Sequence, residues 1–162
     1  MEKKIYQIIL GILYISLIVF FSYSCLQNGD SSGNFSVQVS KGIANVLNSI
    51  FKTSYVVDDN FVHLVRKLIG HYGYFVLLGI VSSLFYYSFN NLGLVKKIII
   101  NFLSALVFAL VSEFIFQLIT SGRAASIIDV LIDYSGFITS AIIISTIYIV
   151  RNKNKTSEMA HK

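Results

Sequence analysis

Four long apolar runs, residues 5–26, 68–89, 98–119 and 127–150, constrain this chain more than any other feature. Each is near the roughly 20 residues that carry a helix across a ~30 Å hydrocarbon core. A backbone in lipid must satisfy its own hydrogen bonds, so runs of this length read as helices. The composition agrees: of 162 residues, 55% are hydrophobic and 13% charged, and mean hydropathy is +0.71. These values belong to a chain solvated by lipid. The expected fold is an all-α membrane protein, a single domain over residues 1–150. It has four transmembrane helices in an antiparallel bundle, plus a short amphipathic helix between helices one and two. The connections "NNLGLVKK" and "TSGRAAS" are short, so helices two, three and four should pack as antiparallel neighbours. The chain has no proline, so no helix is kinked by that route.

The first run follows "MEKK" but is too long for a signal-peptide core and precedes no small-x-small cleavage site, so it reads as a retained helix. A single cysteine, Cys25, allows no intrachain disulfide and reads as a small packing residue. The net charge of +5 forms no basic stripe; its cations flank the apolar runs, which argues against nucleic acid as a partner. With a cytoplasmic N-terminus the inner side holds Lys3, Lys4, Lys96, Lys97, Arg151, Lys153, Lys155 and Lys162. The outer side holds Lys41, Lys52, Arg66, Lys67 and Arg123. Cytoplasmic loops carry the excess of Lys and Arg, so both termini are expected to be cytoplasmic.

Between helices one and two, "FSVQVSKGIANVLNSIF" repeats Val39, Ile43, Val46, Leu47 and Ile50 at helical spacing, with Ser40, Lys41, Asn45 and Asn48 between them. Residues 35–51 therefore read as an amphipathic helix at the outer membrane surface; the alternative is a plain loop. Residues 151–162 are polar without periodicity and read as an irregular cytoplasmic tail that includes His161. Tyr86, Tyr87 and Tyr148 sit near run ends as interfacial anchors, and His63 reads as a solvated loop residue.

Ionisable groups within spans are costly, roughly 2.5–3.5 kcal/mol each, so each requires a partner, a cavity or a function. Counting helical rise from the cytoplasmic ends puts Glu113 about 24 Å, His71 about 28 Å and Asp133 about 27 Å up their helices. Three helices thus bring polar groups to one level, in the outer third of the bilayer. Spacing also selects faces. Ser126, Asp129, Asp133, Gly136 and Ser140 advance by three and four, and Ala105, Ala109, Glu113 and Gln117 by four. Lys67, His71 and Tyr74 line a third face beside Gly70 and Gly73, and small residues there allow close helix contact. Facing seams would gather Arg66, Lys67, His71, Glu113, Gln117, Arg123, Asp129 and Asp133 around one outward-opening site.

The segments "RKLIGHYGYFVLLG" and "SEFIFQLITSGRAASIIDVLIDYSGF" resemble the VanZ-like family of bacterial integral membrane proteins, across about half the chain. The family pattern places Arg-Lys ahead of a His, then Glu, a Gln four later, an Arg, and two Asp four apart before a Gly. Arg66, Lys67 and His71 match its first part, and Glu113, Gln117, Arg123, Asp129, Asp133 and Gly136 its second. Two departures stand out. Tyr74 occupies a position where many members carry an acid, so an acid partner for His71 must come from helix three or four. The Arg66–His71 interval is also one residue longer than in the commonest version. The resemblance implies a multi-pass protein of the bacterial cell membrane linked to resistance to the glycopeptide teicoplanin, and it names no reaction.

Three functional readings remain open. Arg66, Lys67 and Arg123 could neutralise Glu113, Asp129 and Asp133 in a structural network, in this chain alone or as an accessory subunit. An enzyme acting on a lipid-linked phosphate could use His71 and a carboxylate as acid and base, but no nucleophile elbow, His-Glu-x-x-His or Pro-Ser-Gly-His accompanies them. A site binding membrane lipid or a lipid-linked cell-wall precursor would use the arginines on phosphate, with residues 35–51 gating access. This third reading is preferred. His71, Glu113, Asp129 and Asp133 are chemically able to hold Zn or Mn, but paired His or Cys spacing is absent, so no metal and no cofactor is assigned.

Overall fold

The computed structural model describes residues 2–122 and 124–160; the side chains of Asp30 and of residues 155–160 lie outside that description. Among the described residues there are five helices and no strand. They are α1 (Glu2–Cys25), α2 (Gly29–Phe51), α3 (Asp59–Tyr87), α4 (Leu94–Phe116) and α5 (Ile127–Ala160). Four are long and apolar enough to cross a membrane: α1, α3, α4 and, within α5, Ile127–Asn154. The protein is an all-α, multi-pass membrane bundle.

Helix boundaries differ from the sequence reading at several points. Helix α3 begins at Asp59, well before the apolar run, because the Asp58 carboxylate accepts the Phe61 N–H at 2.9 Å and caps it. His63 is therefore an exposed helical residue, not part of a loop. Helix α5 runs on through Ala160, where an irregular tail was expected; nothing between 151 and 160 breaks a helix once the span has nucleated it. His161 and Lys162 lie outside the described residues.

Helices α3 and α5 form the centre. Phe75 and Phe137 are fully buried there, and Phe75 meets Phe21 of α1 and Phe108 of α4 at ring separations of 5.2 and 5.8 Å. Two glycines allow the contact. A Cβ on Gly79 would lie 2.8 Å from the Phe137 carbonyl, and one on Gly136 would overlap the Tyr72 carbonyl. In lipid such close backbone packing replaces the hydrophobic effect as the glue between helices.

Without proline, both distortions within spans are π-helical. Arg66–Gly73 in α3 and Ser112–Phe116 in α4 widen to i→i+5 bonding, as in the Gln117 N–H to Ser112 carbonyl bond of 3.3 Å. The effect on α3 is specific. In an α-helix residues five apart point about 140° from one another. A π turn narrows that angle, and Arg66 and His71 both line one cavity.

Helix α2 spans more than the 35–51 expected from its apolar pattern. Its inward stripe is small and polar, with Ser40 and Ala44 buried and Ser32 and Ser36 partly so. The Ser36 and Ser40 hydroxyls donate to carbonyls one turn back and add no unsatisfied group to the contact. Phe35, Val46, Ile50 and Phe51 point outward, as a surface helix facing lipid requires. At the far end of the bundle Tyr87 is not an interfacial anchor. It is buried, its hydroxyl pairs with the Ser145 hydroxyl, and its ring stacks on Tyr148 at 4.8 Å. Tyr86 packs edge-on to Tyr14.

Candidate functional site

The two π turns and the start of α5 converge on one polar cluster. His71 Nδ1 lies 3.0 Å from Asp133 Oδ1 and 3.9 Å from Glu113 Oε1, so the acid partners of the imidazole come from the third and fourth spans. Tyr74, where an acid would have been local, turns away and donates its hydroxyl to the Leu17 carbonyl. The Gln117 amide donates to Glu113 Oε1 one turn along. Asp129 sits in the first turn of α5, where the helix dipole favours an anion, and its N–H reaches the Ser126 hydroxyl at 3.3 Å. One ligand atom each from His71, Glu113 and Asp129 fall within 4.8 Å of one another.

Burial makes this arrangement expensive. Glu113 and Asp133 are 0% exposed, Gln117 2% and His71 6%. Yet Glu113 Oε2, Asp129 Oδ1 and Asp133 Oδ2 are buried without a hydrogen-bond partner among the described residues. Each such acceptor costs about 1–3 kcal/mol, more if charged. A purely structural cluster would close these positions with donors.

The cations do not form the expected network. Among the described residues no Lys or Arg makes an ion pair with the three acids; the close charged contacts are those of His71. Lys67 is exposed and makes no ion pair with the cluster acids among the described residues. Arg66 is half-buried and faces a cavity shared with His71. Arg123 lies outside the described residues. Its neighbour Gly122 takes φ +74°, and the loop is held to the start of α2 by the Gly29 N–H to Ser121 carbonyl bond of 3.2 Å.

That cavity, about 460 Å³, is enclosed by the end of α1, the π turn of α3 and the underside of α2. Its walls include Phe20, Phe21, Phe35, Val39 and Ile69, and its charged or imidazole groups are Arg66 and His71. Phe20 and Phe35 are more than half exposed, so the mouth lies on the lipid-facing surface. Phe21 stands edge-on to the His71 ring at 6.1 Å, and both line the cavity.

A second polar layer at the opposite end escaped the sequence reading. Lys97 is 3% exposed, with Nζ 3.4 Å from the Tyr148 hydroxyl, and the Asn101 amide donates to the Ser83 hydroxyl at 2.9 Å. The signal was available: Lys97 and Asn101 extend the step-of-four stripe of Ala105, Ala109, Glu113 and Gln117. No protein family, curated protein or solved structure matches the chain.

Proposed function

We propose that the protein is a VanZ-like component of the bacterial cell envelope that binds a phosphate-bearing lipid, or a lipid-linked cell-wall precursor, in the α1–α2–α3 cavity. The observation that carries this reading is an apolar cavity open to the lipid-facing surface whose charged end is Arg66 beside His71. Its volume is within the ~300–1,000 Å³ of small-molecule sites. The guanidinium suits a phosphate oxygen pair, and the aromatic walls suit an acyl or prenyl chain. The shared cavity supports the resemblance as well, since Arg66 and His71 both reach it despite the longer interval between them. A link to glycopeptide resistance would then act through the ligand held there.

The test is native mass spectrometry of protein purified in mild detergent. A co-purifying phospholipid or polyprenyl phosphate is expected on the wild type and lost in Arg66→Gln. Equal occupancy in both would overturn the reading.

The His71–Asp133 pair favours a second reading, a membrane-embedded enzyme acting on a lipid-linked phosphate. A carboxylate on Nδ1 orients an imidazole for proton transfer at Nε2. Release of phosphate or a head group from the bound lipid would distinguish it from binding alone.

In the orientation proposed, the cluster faces the outer leaflet and both termini are cytoplasmic. In a Cys25→Ser background, Ser121→Cys should react with an impermeant thiol reagent in intact cells and Ser88→Cys should not; reversed labelling would move the cluster to the other side.

A further inference from the structure

The buried acids behind the cavity have a use that lipid binding does not supply. We infer that His71, Glu113 and Asp129, with Asp133 beside them, form a binding site for a divalent transition metal of the zinc or manganese class.

The geometry is that of a ligand shell. One ligand atom each from His71, Glu113 and Asp129 lies within 4.8 Å of the others, and Asp133, 3.0 Å from His71 Nδ1, stands where a carboxylate orients a metal-ligating imidazole. Donors around a tetrahedral ion with 2.0–2.1 Å bonds lie about 3.3 Å apart, so these groups need shift little to close on one. Three buried carboxylate oxygens, one on each acid, have no donor. A cation supplies what those acceptors lack. Three carboxylates gathered at one imidazole favour a divalent cation over a monovalent one. One imidazole among carboxylates suits zinc or manganese better than copper or an all-oxygen calcium site. Gln117, bonded to Glu113, and Ser126, at the Asp129 amide, hold the ligands in place as outer partners do in metal sites. The sequence shows no ligand spacing because the donors come from three helices.

This inference does not depend on the lipid. The full chain, stripped with chelator in detergent, is titrated with Co²⁺ as a spectroscopic probe and then with Zn²⁺ or Mn²⁺ in competition. One equivalent per chain with ligand-field bands is expected. Asp129→Asn and Glu113→Gln should each weaken binding by about tenfold or more. Asp59→Asn, an exposed acid at the start of α3, should leave it unchanged. Asp129 is only half-buried, so Asp129→Asn carries the test even if Glu113→Gln fails to fold. Binding unaltered by Asp129→Asn, or no stoichiometric binding, would overturn the site. Binding that appears only in Arg123→Ala would also overturn it, by showing that a guanidinium fills the position.

Discussion

The two polar layers of this bundle are built from similar materials and finished differently. At the Lys97 end, Lys97 with Tyr148, Asn101 with Ser83 and Tyr87 with Ser145 pair off, and Asn101 Oδ1 is the one buried side-chain acceptor there without a partner. At the His71 end, three acids share one imidazole and a glutamine, and each acid leaves an oxygen orphaned. A set of neutral pairs plus one lysine pins helices at modest cost. An incomplete set of buried acids is costly to keep, and a ligand can complete it. The backbone repeats the contrast: α3 and α4 are regular through the Lys97 end and open into π turns at the His71 end. Such turns are frequent at functional sites.

The largest effect should come from breaking the scaffold under the His71 end alone. Gly136→Val places a branched side chain against the Tyr72 backbone and should abolish monodisperse, folded protein on size exclusion. Next is a change that fills the cavity while sparing the fold. At Gly70 an added Cβ meets only the Arg66 Cγ, at 3.9 Å. Gly70→Leu should therefore lower co-purifying lipid by about tenfold or more, while the melting temperature holds or rises with the ~1 kcal/mol lost by a helical glycine. Unchanged lipid would move the ligand elsewhere. At the other layer, Asn101→Leu removes the Ser83 bond and should cost about 1 kcal/mol in detergent unfolding with lipid occupancy retained. The smallest effect is local: Asp58→Ala removes the α3 cap and should cost on the order of 1 kcal/mol, read as faster amide exchange over Asp59–Val65.

The spans, a helix over residues 35–51 and the meeting of His71, Glu113 and Asp133 were legible in the sequence. They depend on run length and on steps of three and four, which a single chain displays. Lys67 was misplaced because a step of four from His71 fixes a direction along the helix and not whether a long cationic side chain turns into the bundle or out of it. Tyr87 was misread because an aromatic near a run end looks the same whether it faces headgroups or, as here, Ser145. The cavity was invisible, since it is made of residues from α1, α2 and α3 whose contacts follow no spacing rule.

The central claim, that the His71 end is a ligand site and the Lys97 end a structural lock, is tested most directly by one paired measurement. Arg66→Gln and Asn101→Leu are purified side by side, and bound lipid and melting temperature are read from each. Arg66→Gln should lose the lipid and keep its melting temperature, and Asn101→Leu should do the reverse. Lipid and stability falling together in Arg66→Gln would contradict the ligand site and make Arg66 part of a structural network.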